Sequence, residues 1–232
     1  MSNNKEELPL RGEPIVFTGS KEPAEAVQAV ENYGGKAIYL PLIETIVIES
    51  ETPDLSPYDW LIFTSRTSAE AFGKLKLQVK CKIAAVGERT VATLLEYGYL
   101  VDFMPSVYSA DRFVAEFPKQ VKDAKCLFVK GSLAKNTIAS MPMQVDEWLI
   151  YETKLSLENA KQLILMKDAI IIFASPSAVA AYRQAGGNWQ HIRVAAIGHV
   201  TQKAIVHEGG HVNFVPKKYT YLDVISEIAK GS

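Results

Sequence analysis

The chain has 232 residues, 48% of them hydrophobic, with 25 Lys and Arg against 26 Asp and Glu and a formal net charge of -1. That balance excludes a broad basic field of the kind that holds nucleic acid non-specifically, so an anionic ligand has to be caught by local groups. No apolar run approaches the ~20 residues that span a bilayer, and Cys81 and Cys126 read as core or strand-edge thiols, not as a zinc or disulfide framework.

The polar start, MSNNKEELPLRG, has no signal-peptide character, so residues 1–12 are expected to form a loose tail on a cytoplasmic protein. IVFTG (15–19) then reads as a buried strand, followed by a helix over 23–33 that Gly34 stops. AIYLPLI (37–43) is the next strand, and IETIVIES (43–50) continues extended with no helix after it. WLIFTS (60–65) precedes a helix at 68–77, and IAAVG (83–87) precedes one at 89–97 that ends at Gly98. A helix at 110–121 leads to the strand CLFVKG (126–131), and VDEWLIYETK (145–154) is a second extended stretch without a helix. AIIIFAS (169–175) with a helix at 176–184, and VAAIG (194–198) with a helix at 201–208, complete the series, with Gly186 and Gly209 as stops. Apolar runs without clean alternation suit parallel strands covered on both faces. Strand–helix alternation of this kind predicts an α/β fold of doubly wound parallel sheets with right-handed crossovers.

The chain also repeats itself. LIFTSRTSAEAF at 61–72 matches IIFASPSAVAAY at 171–182 at a shift of 110 residues. IAAVGERTVATLLEYGYLVDFMP at 83–105 matches VAAIGHVTQKAIVHEGGHVNFVP at 194–216 at a shift of 111. Two similar lobes follow, with a ligand expected between them. The helix-free stretches 43–50 and 145–154 flank one copy, so they are read as crossings, the linker proper at 43–45 and 150–154. One lobe, 46–149, is then inserted in a discontinuous lobe made of 13–42 and 155–232. Two lobes in series is the simpler alternative, but it leaves the leading βαβ at 15–43 without a sheet to join.

Ligands of open α/β sheets sit beyond the carboxyl ends of the strands. Thr18, Thr64, Ser65, Ser175 and Ser177 fall there, and Thr90 and Thr201 each lie three residues after a strand-ending glycine. One reading is anion binding, with hydroxyls adding to the free N–H groups of helix N-termini; the other is ordinary helix capping. Lys21, Arg66, Arg89, Lys130 and His199 are basic residues near the same edge. AVGERT and AIGHVT are not GxGxxG, and there is no phosphate loop, GxSxG elbow or HExxH spacing. No nucleotide cofactor and no metal is expected. Tyr151, in the second crossing, reads either as interlobe packing or as a weak acid offered to the ligand.

DWLIFTSRTSAEAF at 59–72, IAAVGERTVATLLEYGY at 83–99, FVKGSLAKNTI at 128–138, WLIYET at 148–153, FASPSAV at 173–179 and AAIGHVTQKAI at 195–205, in this order and spacing, resemble the uroporphyrinogen-III synthase family. The resemblance implies a monomer of two α/β lobes joined by a two-stranded linker. It implies a lyase that cyclises hydroxymethylbilane to uroporphyrinogen III, in haem biosynthesis, with inversion of ring D and loss of water. No cofactor is implied, nor any nucleic-acid or membrane partner, and the substrate is expected to be handed over by the upstream deaminase. Carried over by position, Tyr151 matches the family tyrosine that assists departure of the hydroxyl. Thr64, Ser65, Thr90, Ser175 and Thr201 match family positions on the binding walls; Thr18, Arg66, Lys130 and Ser177 are further expected substrate contacts. Arg66 stands where proline is frequent, Val200 where some members have threonine, and Lys130 where arginine is common. The rival reading is a two-lobed cytoplasmic binding or sensor protein for a small neutral molecule.

Overall fold

A computed structural model describes residues 8–49 and 51–231. The chain divides into two compact units: one takes the polypeptide up to Glu44 and again from Lys154, and the other is Thr45–Thr153. In chain order the elements begin with β1 (Pro14–Phe17), α1 (Ala24–Asn32), β2 (Lys36–Tyr39) and β3 (Ile43–Val47). Next come β4 (Trp60–Phe63), α2 (Arg66–Lys74), β5 (Lys82–Ala85), α3 (Glu88–Glu96), α4 (Ala110–Gln120) and β6 (Lys125–Gly131). The long β7 (Gln144–Leu155) leads to α5 (Leu157–Ile164), β8 (Ile170–Phe173) and α6 (Pro176–Gln184). β9 (Arg193–Ala196), α7 (His199–His207) and α8 (Tyr221–Lys230) end the series.

The discontinuous unit is built on a sheet of order β2-β1-β8-β9, all three pairings parallel. Its uninterrupted apolar strands are explained by a partition at every second residue. Val16, Ile171, Phe173, Val194 and Ala196 join a core with α5, α6 and α7. Ile15, Phe17, Ile170, Ile172 and Ala195 face the opposite way, onto α1 and α8. Both faces are covered, so both sets of side chains have to be apolar.

The second sheet has the order β3-β7-β6-β4-β5, with β4, β5, β6 and β7 paired in parallel. Trp60, Ile62, Ala84, Cys126 and Phe128 pack with Phe113 and Phe117 of α4. Leu61, Phe63, Ile83, Ala85, Leu127 and Val129 pack on α2 and α3. Burial in the first of these layers pushes the Cys126 thiol up to about 12, as befits a core residue.

The duplication seen in the sequence is kept in three dimensions, and the helix caps carry it past residue 105. Beyond β5, Phe103 forms a parallel bridge to Ala84; beyond β9, Phe214 does the same to Ala195. Asp102 accepts from the Ile83 amide at 2.8 Å, and Asn213 accepts from the Val194 amide at 2.8 Å. Ser109 caps α4 and Thr220 caps α8, each accepting a backbone N–H three residues on. Every one of these pairs keeps the shift of 111 residues.

The structure corrects several expectations. The loose tail does not reach residue 12: Leu10 is 1% exposed, its amide bonds Tyr33 O at 2.9 Å and the Gly12 amide bonds Gly34 O. Residues 1–7 lie outside the described residues. The single strand expected over 37–43 is split at Pro41, which lacks an N–H for the ladder. α2 begins at Arg66 because Ser65 caps it. α5 and α8 are not among the helices expected from the sequence. α5 follows β7 after the single residue Ser156, and α8 follows a lone bridge in place of a strand. Residues 150–153, expected in a linker, belong to the compact unit Thr45–Thr153, as part of β7.

Candidate functional site

In the unit Thr45–Thr153 the carboxyl ends of β4 and β6 and the later part of β7 bring together residues distant in the chain. Ser65 follows β4 in an extended conformation (φ -145°, ψ 147°), and its Oγ accepts the Ser68 amide at 3.0 Å, starting α2. The Tyr151 hydroxyl lies 3.3 Å from Ser65 Oγ, so residues 86 positions apart meet.

A β-bulge aims Tyr151 there. Lys130 pairs with Leu149 but Gly131 pairs with Tyr151, leaving Ile150 as an extra residue on β7. Ile150 and Tyr151, consecutive in the chain, therefore both pack with the core on the α2 side, where strict alternation would separate them. Gly131 makes room: a Cβ built there would overlap the Tyr151 ring. The backbone is pinned as well, since the Ser132 amide donates to Tyr151 O at 3.0 Å and Ser132 Oγ accepts from the Thr153 amide at 3.1 Å.

Proton counting orients this cluster. Ser68 Oγ donates to Ser65 O at 2.9 Å, so its proton is used. Ser65 Oγ donates to Ser68 Oγ at 3.0 Å, so its own proton is used too. Tyr151 is then the donor to Ser65. Among the described residues no donor reaches its oxygen, and its proton is directed at a neutral serine.

The discontinuous unit repeats the first half of this arrangement and lacks the second. Ser175 (φ -161°, ψ 160°) caps α6 by accepting the Ala178 amide at 3.2 Å, and its Oγ lies 2.9 Å from Ser177 Oγ. Pro176 occupies the first turn, where a missing N–H costs nothing. Both N-termini turn the positive helix end to an anion, but in the first turn of α6 Pro176 has no N–H and Ser175 takes the Ala178 amide, which leaves that of Ser177.

The remaining candidates separate by burial. Thr64 is partly buried at the end of β4, and Arg66 is exposed at the first position of α2. Thr90 and Thr201 are 4% and 3% exposed in the first turns of α3 and α7, so each offers at most a sliver of surface. One expectation, Thr18, is corrected. Thr18 is fully buried and donates its hydroxyl proton to Ile172 O at 2.8 Å, tying β1 to β8. Lys130 lies along the sheet with Nζ 2.8 Å from Glu147 Oε1 and its side chain 11% exposed. Thr18 is therefore closed to a ligand, while the Lys130 charge is paired with a partly exposed carboxylate. Gly131 and Ser68 were not among the expected site residues; the bulge that gives Gly131 its place leaves no mark in the sequence.

Two surface depressions of about 690 and 710 Å³ are lined by residues such as Leu77, Val79 and Tyr99, and Tyr58, Cys81 and Lys122. They lie toward the amino ends of β4 and β5, opposite the hydroxyl-bearing edge. Among the described residues no group of three or more His, Cys, Asp or Glu is placed to hold a metal ion. No helix among them is long and apolar enough to cross a membrane.

Residues 24–226 match the family model described as uroporphyrinogen-III synthase HemD. The uroporphyrinogen-III synthase of Chlorobaculum parvum is 27% identical, over 93% of this chain and 98% of that protein. Among solved structures, a mutant uroporphyrinogen III synthase from Thermus thermophilus superposes with a TM-score of 0.73 at 13% identity, covering 94% of this chain and 98% of that one. The uroporphyrinogen-III synthetase of Helicobacter pylori gives 0.66 at 19% identity, covering 94% and 99%. At these identities the two structures speak for the fold, an α/β architecture with parallel sheets.

Proposed function

The chain belongs to the uroporphyrinogen-III synthase family of tetrapyrrole biosynthesis, and from that premise we propose that it is a lyase closing linear hydroxymethylbilane to uroporphyrinogen III. The observation that carries the mechanism is the Tyr151 hydroxyl, aimed by a bulge and 3.3 Å from Ser65 Oγ.

In this reading the terminal hydroxyl of the substrate takes the Tyr151 proton as its C–O bond breaks, and it leaves as water. The electron pair of the adjoining pyrrole nitrogen moves in to give an azafulvene. The substituted carbon of ring D attacks it, forming a spiro-pyrrolenine. That intermediate fragments and recloses with ring D inverted, and the proton that ring D sheds on regaining aromaticity restores Tyr151. Ser65 turns its proton toward the phenolate oxygen left behind, exchanging one hydrogen bond for another. Positioned general acids of this kind contribute roughly 10²–10⁴-fold in rate.

The larger task is to favour this closure over the uninverted one. The pyrroles supply the electron push, so the protein's share is to hold a flexible polycarboxylate in one geometry. The first-turn amides of Arg66, Thr67 and Ser177 and the hydroxyls of Thr64, Ser65, Ser175 and Ser177 are suited to carboxylates. Arg66 adds an exposed positive charge beside Thr64 and Ser65.

Purified protein given preformed hydroxymethylbilane is expected to yield the III isomer. Recovery of the I isomer alone, the spontaneous product, would sink the reading.

A further inference from the structure

The units carry another matched pair, outside the residues named so far. Tyr108 and Tyr219 stand 111 positions apart, although the residues just before them differ, Ser106 and Val107 against Lys217 and Lys218. Both tyrosines are half exposed, 50% and 42%. Each lies at the carboxyl edge of its own sheet, beside the glycine that follows β5 or β9. A Cβ on Gly87 would touch Tyr108, and one on Gly198 would press into the Tyr219 ring. The first residue of the next helix braces each tyrosine: Tyr108 donates to Glu88 Oε1 at 2.5 Å, and the His199 ring sits 5.3 Å from that of Tyr219. The two braces are themselves equivalent positions of the repeat, yet they differ in chemistry, one a carboxylate and one an imidazole. What recurs is the flat ring, set against a glycine and braced from its own helix.

We propose that Tyr108 and Tyr219 are substrate-contacting residues, each packing its exposed ring against one pyrrole of the linear tetrapyrrole. The proposal rests on the synthase reading. A pyrrole is a planar, electron-rich ring that aromatic side chains meet in offset or edge-on geometry. Such contacts set the plane of a ring while leaving its carboxylates to the amides and hydroxyls nearby. Holding ring planes in this way is a positional constraint of the sort that decides between two closures.

The test is steady-state kinetics on hydroxymethylbilane with isomer analysis of the product. Tyr108→Leu and Tyr219→Leu retain bulk but remove the ring. Each is expected to raise KM roughly tenfold, about 1.4 kcal/mol, with a smaller change in kcat. Tyr108→Phe and Tyr219→Phe keep the ring and should hold KM within about twofold of wild type. KM is independent of the fraction of protein that is active, so partial misfolding of a variant does not imitate the result. Leu variants with wild-type KM overturn the proposal. So do Phe variants that lose as much as the Leu variants, because the effect would then belong to the hydroxyl. Wild-type protein that yields only the I isomer defeats the synthase reading instead, before any variant is compared.

Discussion

Tyr151 was legible as a candidate because it is a lone phenol in an apolar strand, but nothing in the sequence said where it points. Its aim depends on Ile150 being looped out against β6 and on the bare Cα of Gly131. This sets up a paired prediction. Tyr151→Phe removes the proton but keeps the ring, so kcat should fall by roughly 10²-fold or more while KM changes little. Gly131→Ala keeps the phenol but swings its far end away from Ser65; kcat should fall toward the Tyr151→Phe value with the thermal midpoint close to wild type. Wild-type turnover in Gly131→Ala would show that the placement of the phenol does not matter. Ser65 was legible for a different reason: a serine ahead of an amphipathic run is a helix start whether or not a ligand uses it. Thr18 and Lys130 show the opposite limit. A hydroxyl or amine at a strand end looks the same in sequence whether it faces water, as Arg66 does, or is spent on Ile172 O or Glu147.

Strands β1 and β8 come from chain segments more than 150 residues apart, and they form the centre of one sheet. Thr18 contributes a side-chain bond across that junction in addition to the backbone ladder. Thr18→Val keeps the shape and leaves Ile172 O short of one donor, which should cost ~1–3 kcal/mol of stability. Denaturant unfolding measures the loss. The same variant should keep wild-type KM; a tenfold rise would return Thr18 to the list of ligand contacts. At this level the sequence was informative where an apolar run, a cap and a glycine stop coincide, as in β4–α2 and β8–α6. It was silent at α8, whose cap Thr220 is recognisable only once its partner Ser109 is seen in the other unit.

Taken as a whole, the molecule has a pH dependence that is unevenly placed. Asp54, Glu116 and Asp146 all lie in the unit Thr45–Thr153, and all three carboxyls sit below the usual carboxylate range. The Ser56 amide and hydroxyl hold Asp54, the Ser106 hydroxyl and amide hold Glu116, and the Tyr58 hydroxyl holds Asp146. A carboxyl whose folded pKa is depressed stabilises the fold above its unfolded pKa, near 4, and that stabilisation is lost as pH falls through the folded value. Asp54 is exposed and the other two are half-buried at the surface, so solvent screens all three and each effect is small. The thermal midpoint is expected to fall in acid. Glu116→Gln should lower the midpoint at neutral pH and flatten the acid limb, and an unchanged acid limb would contradict this. From the amino-acid order alone follow the α/β class, the parallel strands and the duplication, because burial on two faces and helix punctuation are local in the chain. The duplication was legible over 83–105 and 194–216, and was extended only in the structure, by Tyr108/Tyr219 and Ser109/Thr220, whose surroundings diverge in sequence. Folding alone decided which polar groups are spent and which are presented. That choice depends on one looped-out residue in β7, on the register of strands distant in sequence, and on the few ångströms that separate a satisfied hydroxyl from an available one.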